Sequence, residues 1–198
     1  MIVIKVGGSL FDHPRLGPGL RAYLNSLESE ELMLVPGGGD LADAVRKLDK
    51  VHGLGEQTSH YLALRATTVT AEFLVRILDM AEIGTRIHIP DCYAFAETDQ
   101  TRPGALPASW DVTSDSIAAR MAVVLEADRL ILLKSIDIPR GTSWKEAAKR
   151  GWVDRHFPHV VAGMKIPVET VNFARYLEKF GPIESMNART KAEPDEKS

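Results

Sequence analysis

The chain has 198 residues, 44% of them hydrophobic and 26% charged, with a formal net charge of -3. That length supports one domain, with two lobes at most, and a substantial core, while the charge balance argues against a nucleic-acid binder that works through a basic surface. A single cysteine, Cys92, excludes an internal disulfide and a cysteine-based zinc site and fits a reduced cytoplasmic setting.

The β-branched run Ile2, Val3, Ile4 and Val6 predicts a strand over 2–6 that stops at Gly7-Gly8-Ser9. This run is broken by Lys5 and is too short for a signal-peptide core. Leu20, Tyr23, Leu24 and Leu27 fall at helical spacing and predict a helix over 18–28. Leu32-Met33-Leu34-Val35 reads as a second buried strand, ended by Pro36-Gly37-Gly38-Gly39, with a helix from Asp40 to about Lys50. A turn at His52-Gly53-Leu54-Gly55 leads into long helical periodicity over 56–80. Arg86-Ile87-His88-Ile89 predicts a strand, and Pro103, Gly104 and Pro107 place 94–110 in a loop with a short strand at its end. A helix from Thr113 to Glu126, an apolar strand from Arg129 to Leu133, a strand from Val168 to Asn172 and a helix to about Phe180 complete the pattern. The stretch 134–165 is less regular and reads as a lid or a nucleotide-contacting loop; the polar tail 185–198 is expected to be disordered. No window approaches the roughly 20 apolar residues that span a bilayer. Continuous apolar strands separated by helices imply an α/β fold with a mainly parallel sheet covered on both faces.

Four segments carry chemistry. In Lys5-Val6-Gly7-Gly8-Ser9, paired glycines let backbone N–H groups approach a bulky anion, and Lys5 adds charge; an ordinary strand–turn is the alternative. It is neither a P-loop nor a dinucleotide fingerprint. Gly37-Gly38-Gly39-Asp40 joins a buried strand to a helix, so its N–H groups and the helix dipole make an anion site. In a parallel sheet both loops lie at the strands' carboxyl ends, where ligands bind. Trp110-Asp111-Val112-Thr113-Ser114-Asp115-Ser116 opens a helix; Asp115 either complements the dipole or positions lysines near phosphate. Lys134 ends its apolar strand on the same sheet edge and either reaches a nucleotide phosphate or simply begins a surface loop. The histidines form no metal-ligand pattern; His60, on the helix after the glycine turn, is a candidate substrate contact. Trp144 and Trp152 flank basic residues and read as amphipathic packing, and Cys92 lacks a nucleophile motif.

Taken together, Lys5-Val6-Gly7-Gly8-Ser9, the Pro36–Gly39 turn, Thr113-Ser114-Asp115-Ser116 opening a helix and the strand running into Lys134 resemble the amino acid kinase superfamily in order and spacing over residues 1–137. The resemblance implies a three-layer αβα sandwich over 1–184, with 1–110 binding the phosphoryl acceptor and 111–184 forming a reduced nucleotide-binding part. It implies direct, in-line phosphoryl transfer using ATP and Mg²⁺ in a cytoplasmic, homo-oligomeric enzyme without nucleic-acid or membrane partners. By the same resemblance Lys5, Asp115 and Lys134 are the catalytic set. Gly7, Gly8, Ser9, Gly37, Gly38, Gly39, His60, Asp111, Thr113 and Ser114 would hold phosphate and substrate. His60-Tyr61-Leu62-Ala63 with the 110–116 segment resembles the branch of small kinases of methanofuran biosynthesis, which act on a phosphorylated acceptor, aminomethylfuran-methyl phosphate.

Two departures accompany that resemblance. Ser135-Ile136-Asp137-Ile138-Pro139 stands where the family has a DVDG-like turn, and Ala162-Gly163-Met164-Lys165 matches the family's nucleotide-lobe segment poorly. They motivate an alternative reading, a non-catalytic nucleotide- or metabolite-binding protein on the same fold.

Overall fold

The structure, a computed structural model, describes residues 1–27, 31–79 and 85–180. Its frame is a five-stranded sheet in the order β3-β2-β1-β4-β5, every neighbouring pair parallel. The strands are β1 (Ile2–Val6), β2 (Leu32–Pro36), β3 (Ile87–His88), β4 (Arg129–Lys134) and β5 (Val168–Asn172). Between them run α1 (Leu16–Ser26), α2 (Gly39–His52), α3 (Glu56–Leu78), α4 (Cys92–Asp99), α5 (Ser114–Val124), α6 (Trp144–Lys149) and α7 (Phe157–Val161). The last helix is α8 (Phe173–Leu177).

Side chains of a strand alternate between faces, so each strand feeds two separate cores. Ile2, Ile4, Leu34, Ile131 and Leu133 pack on one face against α1, α3 and α8. Val3, Val35, Leu130 and Leu132 pack on the other against α5, α6 and α7. Helices on both faces of a parallel sheet make the expected three-layer α/β sandwich. The same alternation puts Lys5 on the α5 face with Val3. Lys5 pairs in register with Leu132, so Lys134, two residues further along β4, shares that face diagonally beside it.

The loop expected over 94–110 is corrected in its first half. Helix α4 forms there because the Asp91 side chain accepts from the N–H groups of Tyr93 (2.9 Å) and Ala94 (3.2 Å). The glycine and prolines that signalled a loop act only after Asp99, and the short strand expected at the end of that loop does not form between Asp99 and α5. The irregular stretch 134–165 contains α6 and α7. The helix expected to reach Phe180 is α8 alone, with the chain continuing in tight turns that bond Lys179 to Tyr176 and Phe180 to Leu177. The tail 185–198 and the end of the domain expected at 184 lie outside the described residues.

Candidate functional site

The carboxyl ends of β1, β2 and β4 meet at the two glycine loops. The Gly7 N–H donates to Leu133 O (2.9 Å) and the Gly37 N–H to Val6 O (2.9 Å), so each loop is tied to a neighbouring strand. The loops also press on each other: a Cβ on Gly8 would stand 2.6 Å from the Gly39 nitrogen. Gly39, the first residue of α2, has φ of +53°, in the left-handed region that glycine adopts without strain. The first N–H groups of α2 have no intrahelical partner, and the Thr70 hydroxyl on α3 steadies the turn by donating to Gly37 O at 2.8 Å. Ser9 shares a 2.9 Å hydrogen bond with Ser135, linking the first loop to the segment after β4.

Beside these loops lies a buried ionic cluster. Asp115, in the first turn of α5, points at the sheet and receives both lysines. Lys5 Nζ lies 2.9 Å from its Oδ1, and Lys134 Nζ donates to Oδ1 at 2.8 Å and Oδ2 at 2.6 Å. All three residues are under a tenth exposed. Burial opposes ionisation of Asp115, but the charges of Lys5 and then Lys134 outweigh it and bring its pKa down to about 2. Burial, helped by the charge of Lys5, pulls Lys134 down to about 8 against the opposing pull of Asp115. Two ammonium groups sharing one carboxylate leave positive charge available at a sheet edge lined with free amides, an arrangement suited to anionic phosphate.

Asp115 also forms part of the floor of a cleft of about 560 Å³. Arg46, Trp110, Asp111, Lys149 and Arg155 also line it. The Arg46 guanidinium stacks over the Trp110 ring at 4.6 Å, and Trp110 Nε1 donates to Asp49 Oδ2 at 2.7 Å. Asp111 is at the exposed rim, 3.5 Å from Arg155. Thr113 stands at the N-cap position of α5 with its hydroxyl donating to Asp154 Oδ2 at 3.0 Å, and Ser114 lines a smaller recess with Gly38, Arg46, His60 and Trp110. His60 is buried and held below its ordinary pKa by that burial. Its Nδ1 lies 3.1 Å from Ser109 O; a carbonyl only accepts, so Nδ1 carries the proton.

The structure therefore gathers Lys5, Asp115, Lys134 and both glycine loops at one edge, with Thr113, Ser114 and His60 in the adjoining recess and Asp111 at the periphery. Sequence reasoning missed Asp154. Its carboxylate accepts from Thr113, Ser116 and Phe157, and its backbone N–H donates to Asp115 Oδ2 at 3.2 Å. An aspartate three residues before a short helix was the available signal. Also missed was the buried pair of Arg120 with Asp99, bidentate at 2.7 and 2.9 Å, with Arg120 donating further to Pro103 O at 3.0 Å. This pair anchors the loop that leads to Trp110.

No known family's sequence profile matches the chain. A curated relative from Methanocaldococcus jannaschii, a kinase of 5-(aminomethyl)furan-3-yl methyl phosphate, is 26% identical over 145 residues, covering 69% of this chain and 67% of the relative. Among solved structures, uridylate kinase from Archaeoglobus fulgidus superposes with a TM-score of 0.62 at 16% identity, over 97% of this chain and 96% of that one. UMP kinase from Ureaplasma parvum gives 0.57 at 16% identity, over 90% and 94% of the two chains. UMP kinase from Bacillus anthracis gives 0.58 at 11% identity, over 95% and 91%.

Proposed function

We propose that this chain, a member of the amino acid kinase superfamily, is an ATP-dependent small-molecule kinase whose acceptor already bears a phosphate, of the kind its curated relative's name describes. The observation that carries the proposal is the buried Lys5–Asp115–Lys134 cluster beside two mutually packed glycine loops. In an in-line transfer, negative charge spreads over the oxygens of the moving phosphoryl group, and fixed donors stabilise it without reorganising. In this reading Lys5, at the centre of the sheet, neutralises the group in flight. The amide of Gly8 binds its oxygens, helped by the hydroxyl of Ser9, while Gly7, whose N–H is held by Leu133 O, shapes the loop instead of donating as expected. The amides of Gly38 and Gly39 with the α2 dipole hold the acceptor phosphate, Gly37 being tied to Val6 O, and the rest of the acceptor extends past Thr113, Ser114 and His60 toward Trp110. Lys134 faces the nucleotide, which enters from the β4–β5 side, and Asp115 keeps the two lysines from drifting apart.

Mg²⁺ is proposed to arrive on ATP. Asp115 is committed to two lysines and Asp154 to backbone and hydroxyl donors, so these carboxylates fit no protein cage for the ion. Magnesium commonly keeps its waters and binds through phosphate oxygens. Among the described residues no helix is long and apolar enough to cross a membrane, and the buried free thiol of Cys92 supports a cytoplasmic setting. The exposed Leu62, Val69 and Phe73 on α3 support a homo-oligomer, dimeric or larger.

Purified protein given Mg-ATP and a panel of phosphorylated and carboxylated acceptors is expected to release ADP, with aminomethylfuran-methyl phosphate among the substrates. Lys5→Met, which keeps bulk but removes charge, is expected to abolish release; unchanged turnover in that variant overturns the role given to Lys5. The reduced turn at Ser135–Pro139 favours one alternative, a binding protein without catalysis. Nucleotide binding by calorimetry with no turnover on any acceptor would select it.

A further inference from the structure

Asp154 is partly buried, in the turn between α6 and α7, and its carboxylate accepts five hydrogen bonds. Oδ2 receives the Thr113 N–H (2.9 Å), the Thr113 hydroxyl (3.0 Å) and the Ser116 N–H (2.9 Å). Oδ1 receives the Ser116 hydroxyl (2.5 Å) and the Phe157 N–H (2.8 Å). One side chain thus satisfies the open N-termini of two helices, α5 and α7. Capping alone does not call for a charge here. The neighbouring α6 is capped by a serine, Ser143, whose hydroxyl accepts from the Glu146 N–H at 3.2 Å. A second carboxylate next to Asp115 carries an electrostatic cost, and burial together with the Asp115 charge indeed raises the Asp154 pKa. What offsets that cost is position. Asp115 Oδ1 is shared by both lysines, and its Oδ2 by Lys134 and the Asp154 backbone N–H. Among the described residues that N–H is the one rigid donor to Asp115 beyond two flexible lysine arms.

We propose that Asp154 is a positioning residue for the lysine–aspartate–lysine cluster: its carboxylate locks the 152–157 turn onto the start of α5, and this holds its own backbone N–H against Asp115. The stretch read from sequence as a lid is, on this account, a fixed wall of the cleft whose anchor also orients Asp115. Asp154 lines the same cleft as Asp115, and its part is to act through Asp115 on the two ammonium groups.

The kinetic arm of the test rests on the kinase reading, and a titration arm does not. In Asp154→Asn the amide NH₂ must face either the Phe157 N–H or the donors of Thr113 and Ser116, so the turn shifts and the N–H to Asp115 is lost. The expected fall in kcat is roughly 10- to 100-fold, the effect of losing a hydrogen bond to a charged group, with KM for the acceptor nearly unchanged. In protein carrying ¹⁵N-labelled lysine, the Lys134 amine, which titrates at about 8 in the parent, is expected to lose its proton at lower pH in the variant, because Asp115 holds it less well. Ser116→Ala, a milder change that removes one of the five donors, should move both readouts in the same direction by less. Ser143→Ala should lower thermal stability as any lost cap does and leave both readouts alone. A folded Asp154→Asn protein with the Lys134 titration unmoved overturns the proposal, whether or not kcat falls. Absence of turnover in the parent protein overturns the kinase reading instead, and the titration still decides the role of Asp154.

Discussion

Replacing Lys134 by methionine separates the charge of the cluster from its packing. Methionine keeps most of the volume in the site and removes the ammonium. In the folded protein Lys134 loses its proton at about 8, against 10.5 for an ordinary lysine. Below about pH 8 both folded and unfolded chains hold the proton, and the penalty of burying the ammonium is present in full. Between pH 8 and 10.5 the unfolded chain binds more protons than the folded one, so this group makes stability rise with pH. At 1.36 kcal/mol for each tenfold change in proton affinity, the rise amounts to about 3 kcal/mol across that window. Asp115, at about 2, is ionised throughout it and contributes no slope there. Urea unfolding of the parent and of Lys134→Met, followed by tryptophan fluorescence at several pH values, gives the difference between the two proteins. That difference cancels most other titrations, such as that of Tyr23, whose pKa is raised chiefly by burial. The gap between the parent and the variant should move by about 3 kcal/mol in favour of the parent from pH 8 to 10.5. Parallel stability curves would refute the reasoning, since they would mean that Lys134 titrates alike in both states.

Gly8→Ala places a Cβ 2.6 Å from the Gly39 nitrogen and 2.8 Å from its Cα, backbone that cannot swing aside. The loops must separate, at about 1–3 kcal/mol by urea midpoint and with a raised acceptor KM; a variant matching the parent in both would show that the loops do not pack as described. Arg120→Met strands the buried Asp99 carboxylate, and calorimetric melting should show a loss of about 3–5 kcal/mol. The double variant Arg120→Met with Asp99→Leu should recover most of that loss. A double variant no better than the single one would place the cost outside the ion pair.

Much of the fold was legible because apolar β-branched runs alternating with helical periodicity admit few arrangements. Ile2–Val6, Leu32–Val35 and Arg129–Leu133 read as buried strands, and they are the three adjacent strands at the heart of the sheet. The glycine loops were legible too, since paired and tripled glycines after a strand have a specific physical use. Helix α4 was missed because its apolar residues carry no clear stripe and the turn signals of the following segment masked it. The Asp91 cap was the sign that could have been used.

Sequence alone determined that Lys5 lies one residue before the end of a buried strand, that Lys134 ends another and that Asp115 begins a helix, because strand ends and caps are local properties. Tertiary structure decided the rest. Register sets the two lysines diagonally on one face, where a single carboxylate meets both. A turn about forty residues downstream from Asp115 brings Asp154 beneath it, and residues so far apart in the chain share no local signal. Strand order and the angle of α5 over the sheet arise from the packing of two cores at once, and no window of sequence contains that information.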